Sequence, residues 1–169
     1  MDNKNYLLAL NRMKPFSART RLKLIVRWPS LDEMFRLTIE QLQQAGVSYE
    51  QAVCIKQFNM QEIEEDLKWQ SLDKNNYLIS LFDPEYPALL KEIHDPPLIL
   101  YAKGNLASLT QKTVAIVGSR KPSITGAETA KKFAFELALA HLTIVSGLAY
   151  GIDAHAHQGC LAQKGKQLL

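Results

Sequence analysis

Two segments of this chain carry the residue types that hold an anion. The first, GSRKPSITG at 118–126, opens with Gly118, Ser119, Arg120 and Lys121. The second, SGLAYGID at 146–153, opens with Ser146 and Gly147 and includes Gly151. Glycine lets backbone approach a ligand closely. Hydroxyls donate hydrogen bonds, and a guanidinium can fork onto two phosphate oxygens where an ammonium acts as a point charge. Phosphate binding is the chemistry so assembled. Glycines that serve only tight turns are the plainer alternative, but they leave the hydroxyls and Arg120 without a use.

The groups needed to cleave a phosphate are missing from these segments. A Walker A loop requires GxxxxGK[ST]. Five residues after Gly118 stands Ser123, and five after Gly147 stands Ile152. No GxGxxG occurs either, so ATP hydrolysis and the usual dinucleotide site are disfavoured. Asp153 sits where a helix should start, and a cap or loop-pinning hydrogen bond suits it better than a general base. His155 and His157 are two apart and point to different sides of a helix, which argues against a shared metal. His157 reads as a packing residue. Neither segment pairs two carboxylates, and no Ser/His/Asp set is convincingly spaced. The site should hold an anion without a metal, a cofactor or catalysis.

Such loops need elements to position them. TVAIVG reads as a short strand, apolar on both faces like a buried parallel strand. GAETAKKFAFELALAHL follows as an amphipathic helix with Phe133, Leu137 and Leu139 among its apolar positions. LTIVSG is a second buried-type strand, and GIDAHAHQGCLAQKG a second helix stopped by Gly165. In this β-α-β-α order a right-handed crossover sets the strands parallel and adjacent, with both loops at their carboxyl ends, where open α/β sheets bind ligands. The closing KQLL falls where a third strand should begin, so the chain reads as a piece of a longer protein. The alternative is a short domain whose sheet is completed by the strand-like runs at 76–82 and 98–102.

The first seventy residues differ. NYLLALNRM, SARTRLKLIVRW, SLDEMFRL, TIEQLQQAG, SYEQAVCIKQF and MQEIEEDLKWQ repeat apolar residues at three and four, the helical period. Ser17 is an expected N-cap, Ser30 with Glu33 has capping-box spacing, and Gly46 is an expected stop. The predicted organisation is a small all-α domain at 1–70 followed by an α/β domain at 71–169.

Charge is uneven over the 169 residues, whose net charge is +3. From residue 102 onward eight cations face three anions, while residues 73–101 carry two cations and five anions. The basic bias fits an anionic partner, and equally a solvated lysine-rich face. Arg19, Arg21, Lys23 and Arg27 lie close together in the helical part and could meet a nucleic-acid backbone, although a solvated face is the leading reading. That part could also serve as an interaction or dimer module. Cys54 and Cys160 form no CxxC pair, no apolar run approaches a membrane span, and the N-terminus lacks a signal peptide's apolar region. These features point to a reduced cytoplasmic protein.

Three stretches, VAIVGSRKPSITG, IVSGLAYGIDAHAH and YPALLKEIHDPPLILYAKGN, together resemble the DNA-processing protein A family, also called DprA or Smf. The resemblance covers about residues 76–169. The N-terminal helices look like that family's SAM-like or helix-hairpin-helix domain. The resemblance implies an extended Rossmann-like fold that binds single-stranded DNA, protects incoming strands in natural transformation and helps load the RecA recombinase, with no enzymatic activity. It implies that Gly118, Ser119, Arg120, Lys121, Ser146, Gly147 and Gly151 line the strand site, with Arg120 the chief phosphate contact and Asp153 and His157 structural. It also implies a homodimer in the full-length protein, through a half of the fold that continues past Leu169. A phosphoribohydrolase of nucleoside monophosphates, as in related Rossmann-like families, is the alternative, but its PGGxGT loop and catalytic Glu are not in this chain. For base stacking, Tyr150 is the only aromatic in either loop, and it could equally be core.

Overall fold

The computed structural model describes residues 3–165 and 167–168, and they form two compact units, the first ending at Gly104 and the second starting at Asn105. The architecture is mixed α/β, rich in helix, with two small sheets.

In the first unit, α1 (Asn3–Arg12), α2 (Ala18–Arg27), α3 (Leu31–Arg36), α4 (Ile39–Gln44), α5 (Tyr49–Gln57) and α6 (Glu64–Leu72, entered through a 3-10 turn at Met60–Ile63) are short and cap-rich. Ser17 caps α2 by accepting the Thr20 N–H at 3.1 Å. The expected box at Ser30 does not form. Asn3 ties down the start of α3 instead: its Oδ1 accepts the Leu31 N–H at 3.0 Å and its Nδ2 donates to Pro29 O at 3.1 Å. The Glu33 N–H, which a box would give to the Ser30 side chain, bonds the Ser30 carbonyl at 3.2 Å instead. True capping boxes stand at Thr38 with Gln41 and at Ser48 with Gln51. Gly46 ends α4 as expected, at φ +87°, with Val47 N–H bonded to Leu42 O and Gly46 N–H to Gln43 O. This doubly bonded left-handed turn satisfies orphan carbonyls that would otherwise lack partners.

Arg21 is a structural residue rather than a contact for an outside anion. Its guanidinium reaches Leu10 O at 3.0 Å, Asn11 O at 3.2 Å and Met13 O at 2.8 Å, closing the carboxyl end of α1. Arg19, Lys23 and Arg27 remain exposed. The core is aliphatic, with Leu8, Leu10, Leu31, Met34, Leu42 and Ile63 fully buried.

After α6 come β1 (Asn76–Ser80), α7 (Ala88–Lys91) and β2 (Ile99–Lys103). β1 and β2 pair antiparallel, Leu78 opposite Tyr101, in a sheet of their own. They therefore do not complete the parallel sheet, and they group with the helices although the sequence reading sets them with the α/β part. An ion pair links these elements. Asp66 on α6 receives Arg12 of α1 in two bonds, at 2.7 and 2.9 Å, and Tyr101 of β2 also hydrogen-bonds to it.

The second unit runs through a 3-10 turn at Leu106–Thr110, then β3 (Thr113–Ala115), α8 (Ile124–Leu139), β4 (Thr143–Val145), α9 (Ile152–Ala162) and β5 (Gln167–Leu168). The strands are parallel in the order β3-β4-β5, so the third strand forms where the KQLL segment is read to start one. β4 is buried, but β3 is largely exposed, contrary to its two-sided apolar pattern. It is the outer strand of this sheet, with a neighbour on one side only.

The α8 face also departs from expectation. Phe133 and Leu139 are exposed, while Ala130, Ala134 and Ala138 are buried and Leu137 is half-buried. The reason lies in α9, where a Cβ on Gly159 would run into Lys131 O and would stand 3.1 Å from the Ala134 Cβ. Helices this close admit only small side chains between them. The core is accordingly small: Ala134, Ala138, Ile144, Ala156 and Cys160. Gly165 does not itself supply the left-handed turn after α9. Lys164 does, at φ 52°, and His141 does the same after α8 at φ 61°. Among the described residues no helix is long and apolar enough to cross a membrane.

Burial pushes the Asp66 carboxyl up, but the bonds from Arg12 and Tyr101 outweigh it and hold the group below its usual range. A carboxylate with a depressed folded pKa stabilises the fold above its unfolded value, about 3.9, and that stability is lost as pH falls through the folded value. Asp66→Asn should lower stability at pH 7 by about 3 kcal/mol and flatten the acid limb of the stability curve. Both tryptophans, Trp28 and Trp69, lie in the first unit, so denaturant unfolding followed by tryptophan fluorescence at neutral and acid pH checks this.

Candidate functional site

β3 and β4 are neighbours, so the chain leaves both at the same edge of the sheet. The ladder outlasts the strands by one step: Ile116 N–H bonds Val145 O at 3.0 Å, and the Ser146 hydroxyl donates to Ile116 O at 2.7 Å. The two loops that follow then touch. Ile152 N–H donates to Ser119 O at 3.1 Å. Gly151, at φ +91°, lies so close that an added Cβ would overlap Ser119 O and come within 2.8 Å of Arg120 backbone atoms. A Cβ on Gly118 would meet the Ile152 side chain at 2.8 Å. Both glycines are therefore required by the contact between the loops.

Inside this contact several groups are committed to the protein. Asp153 is buried, and its Oδ2 accepts the Gly147 N–H at 3.0 Å, tying the start of α9 to the end of β4. Ser146 is buried and its proton points inward. His157 is buried on α9, and His155 on the same helix is half-exposed. Ser119 Oγ accepts the Lys121 N–H at 3.0 Å, which curls the loop beneath the two cations. Ser123 caps α8, accepting the Gly126 N–H at 3.1 Å.

Other groups face solvent. Gly118, Ser119, Arg120 and Lys121 are exposed, and Gly147 lies at the surface. Among the described residues neither Arg120 nor Lys121 has an ionic partner, whereas Lys4, Arg12, Arg36 and Lys103 of the first unit each have one. The structure thus divides the nine residues singled out from the sequence. Ser119, Arg120 and Lys121 form an open cationic lip, Gly118, Gly147 and Gly151 shape it, and Ser146, Asp153 and His157 lie behind it. Among the described residues no group of three His, Cys, Asp or Glu side chains could hold a metal.

Sequence reasoning left Tyr150 open between loop and core; in this structure the residue is 87% exposed and lies outside the buried core. It missed Leu148, which is exposed with a left-handed backbone at φ 55°. The signal was present, since Leu148 and Tyr150 fall between a strand and a helix, outside any apolar period.

The model of a protein family described as DNA recombination-mediator protein A matches residues 77–168. Protein Smf of Escherichia coli K12 is 37% identical over 124 residues, covering 73% of this chain and 33% of that protein. The DNA processing protein DprA of Streptococcus pneumoniae is 46% identical over 89 residues, covering 53% and 31%. The X-ray structure of DprA from Streptococcus pneumoniae aligns with 99% of this chain and 56% of its own, at a TM-score of 0.64 and 29% identity. This chain spans about half or less of the length of the curated relatives it matches.

The loop contact can be tested without any ligand. Gly151→Ala combines a left-handed strain with a clash on the Ser119 carbonyl, and should destabilise the second unit by about 2 kcal/mol or more. Amide hydrogen exchange across α9, faster in the variant than in the parent chain, is the readout.

Proposed function

Because the chain belongs to the DNA recombination-mediator protein A family, we propose that it binds single-stranded DNA by its backbone, within a DNA-processing role in natural transformation. The observation that carries this reading is the pair of exposed, unpartnered cations, Arg120 and Lys121, on a loop braced by its neighbour. A phosphate brought there replaces solvent on the guanidinium and releases condensed counterions, which drives binding whatever the base sequence. The first turns of α8 and α9 add amide N–H groups and the positive ends of two helix dipoles.

The site holds rather than cleaves. Asp153 is the only carboxylate in either loop and is occupied by the Gly147 amide. We further propose that the full-length protein, in a Rossmann-like fold extended beyond these strands, protects incoming strands in the cytoplasm, assembles as a homodimer and helps load a RecA-type recombinase. The support for those partners is the family membership alone.

In fluorescence anisotropy with a labelled oligothymidylate, affinity should fall with salt at a log–log slope of about −0.7 per phosphate neutralised. Arg120→Ala should weaken binding and reduce that slope by about 0.7. The reading is wrong about the site if the variant keeps both affinity and slope.

A further inference from the structure

The second unit exposes large apolar side chains just where its loops emerge. Tyr150 is 87% exposed, Ile124 82%, Val117 71% and Leu148 61%. All four belong to the two touching loops or their immediate flanks. Burying one such side chain is worth about 1.5–3 kcal/mol, so these four, gathered around one contact, offer a covering partner more apolar area than a side chain standing alone. Leu148 also holds a left-handed backbone, a conformation that a residue with a Cβ adopts only at a cost of about 1–2 kcal/mol. Strain of this kind persists where the surroundings impose it and clusters at ligand sites.

Charge indicates what covers this apolar rim. Tyr150 precedes Gly151, whose backbone lies against Ser119 and Arg120. An aromatic ring and a guanidinium therefore spring from touching segments, with Lys121 one residue further on. The matching ligand is an anionic chain carrying flat apolar groups at intervals, which describes an unpaired polynucleotide strand. In a duplex the base faces are stacked on one another and out of reach.

We propose that this rim, with Tyr150 at its centre, stacks on unpaired bases and gives the site its preference for single strands over duplex. The inference rests on the backbone-binding reading above. It assigns the cations to affinity for any phosphate chain and the ring to strand state. Stacking of this kind tolerates every base, because each has a π-face.

The test compares the full chain with Tyr150→Ala, Tyr150→Phe and Arg120→Ala on three probes: an oligothymidylate, an abasic deoxyribose-phosphate strand of equal length, and a duplex. Tyr150→Ala should lose about tenfold in affinity for the base-bearing strand. It should leave abasic affinity and the salt slope unchanged, and it should narrow the single-strand preference by the same factor. Tyr150→Phe should bind as the parent does. Equal loss on base-bearing and abasic strands, or no loss on either, overturns the stacking role. So does a change of oligomeric state in Tyr150→Ala by sedimentation, which would assign the rim to a second copy. If the parent chain binds no single strand at all, the reading beneath has failed instead. If Arg120→Ala loses affinity while Tyr150→Ala does not, only the stacking inference falls. The exposed ring makes no core contact, so far-UV circular dichroism of the variant should match the parent.

Discussion

The close approach of Gly151 to the Ser119–Arg120 backbone is the constraint on which the second unit's site depends. Only a residue without Cβ fits there, and only one that tolerates φ +91° can make the turn. Once it fits, Ile152 N–H reaches Ser119 O and the two loops hold each other. Ser146 and Asp153 are the buried residues of these loops and both are polar, so hydrophobic packing contributes little to the loops' order. Their order comes instead from backbone hydrogen bonds and from short local bonds, Lys121 to Ser119 and Gly147 to Asp153. A cation carried on such a loop loses little further freedom when an anion arrives, and pre-ordering of this kind favours affinity.

The helices beneath obey the same rule of small residues. Gly159 lets α9 close on the Lys131 carbonyl of α8, and Ala134, Ala138 and Ala156 fill the narrow space between. Each buried alanine contributes little apolar area, so this core gains less from the hydrophobic effect than one built on leucine. What it supplies is position. The first turns of both helices are held at a fixed spacing, and the loops that run into them inherit that spacing.

Much of this was legible in the sequence. The two strands, their parallel pairing and the third strand near KQLL follow from the β-α-β-α order, and Ser17 and Gly46 do what their types predict. The loop contact was not legible, because GSRKPSITG and SGLAYGID read separately carry no sign that one backbone rests on the other. The α8 face misled for a related reason. Phe133 and Leu139 look like core by hydrophobicity, but the gap to α9 was set by a glycine 26 residues after Phe133, and only alanine fits it. At Ser30 the box spacing is present but the box is not, and the start of α3 is held by the long-range amide of Asn3, which no local signal announces. Local chemistry was readable wherever the competing partner was also local.

The two units differ in how far their charges are matched. In the first unit carboxylates are matched with cations: Asp66 with Arg12, Asp83 with Lys4 at 3.0 Å, Asp32 with Arg36 at 2.6 Å. Arg21 is consumed by three carbonyls at the end of α1 and just past it. In the second unit no described lysine or arginine is matched, and Asp153 serves a backbone amide. Other cations of the first unit, Arg19 and Lys23 among them, stand exposed and outside any ion pair. Left unpaired and beside apolar side chains that the fold does not bury, Arg120 and Lys121 raise the local potential for an anion from outside. The protein itself supplies the acceptors for Arg21, whereas among the described residues the Arg120 guanidinium has none.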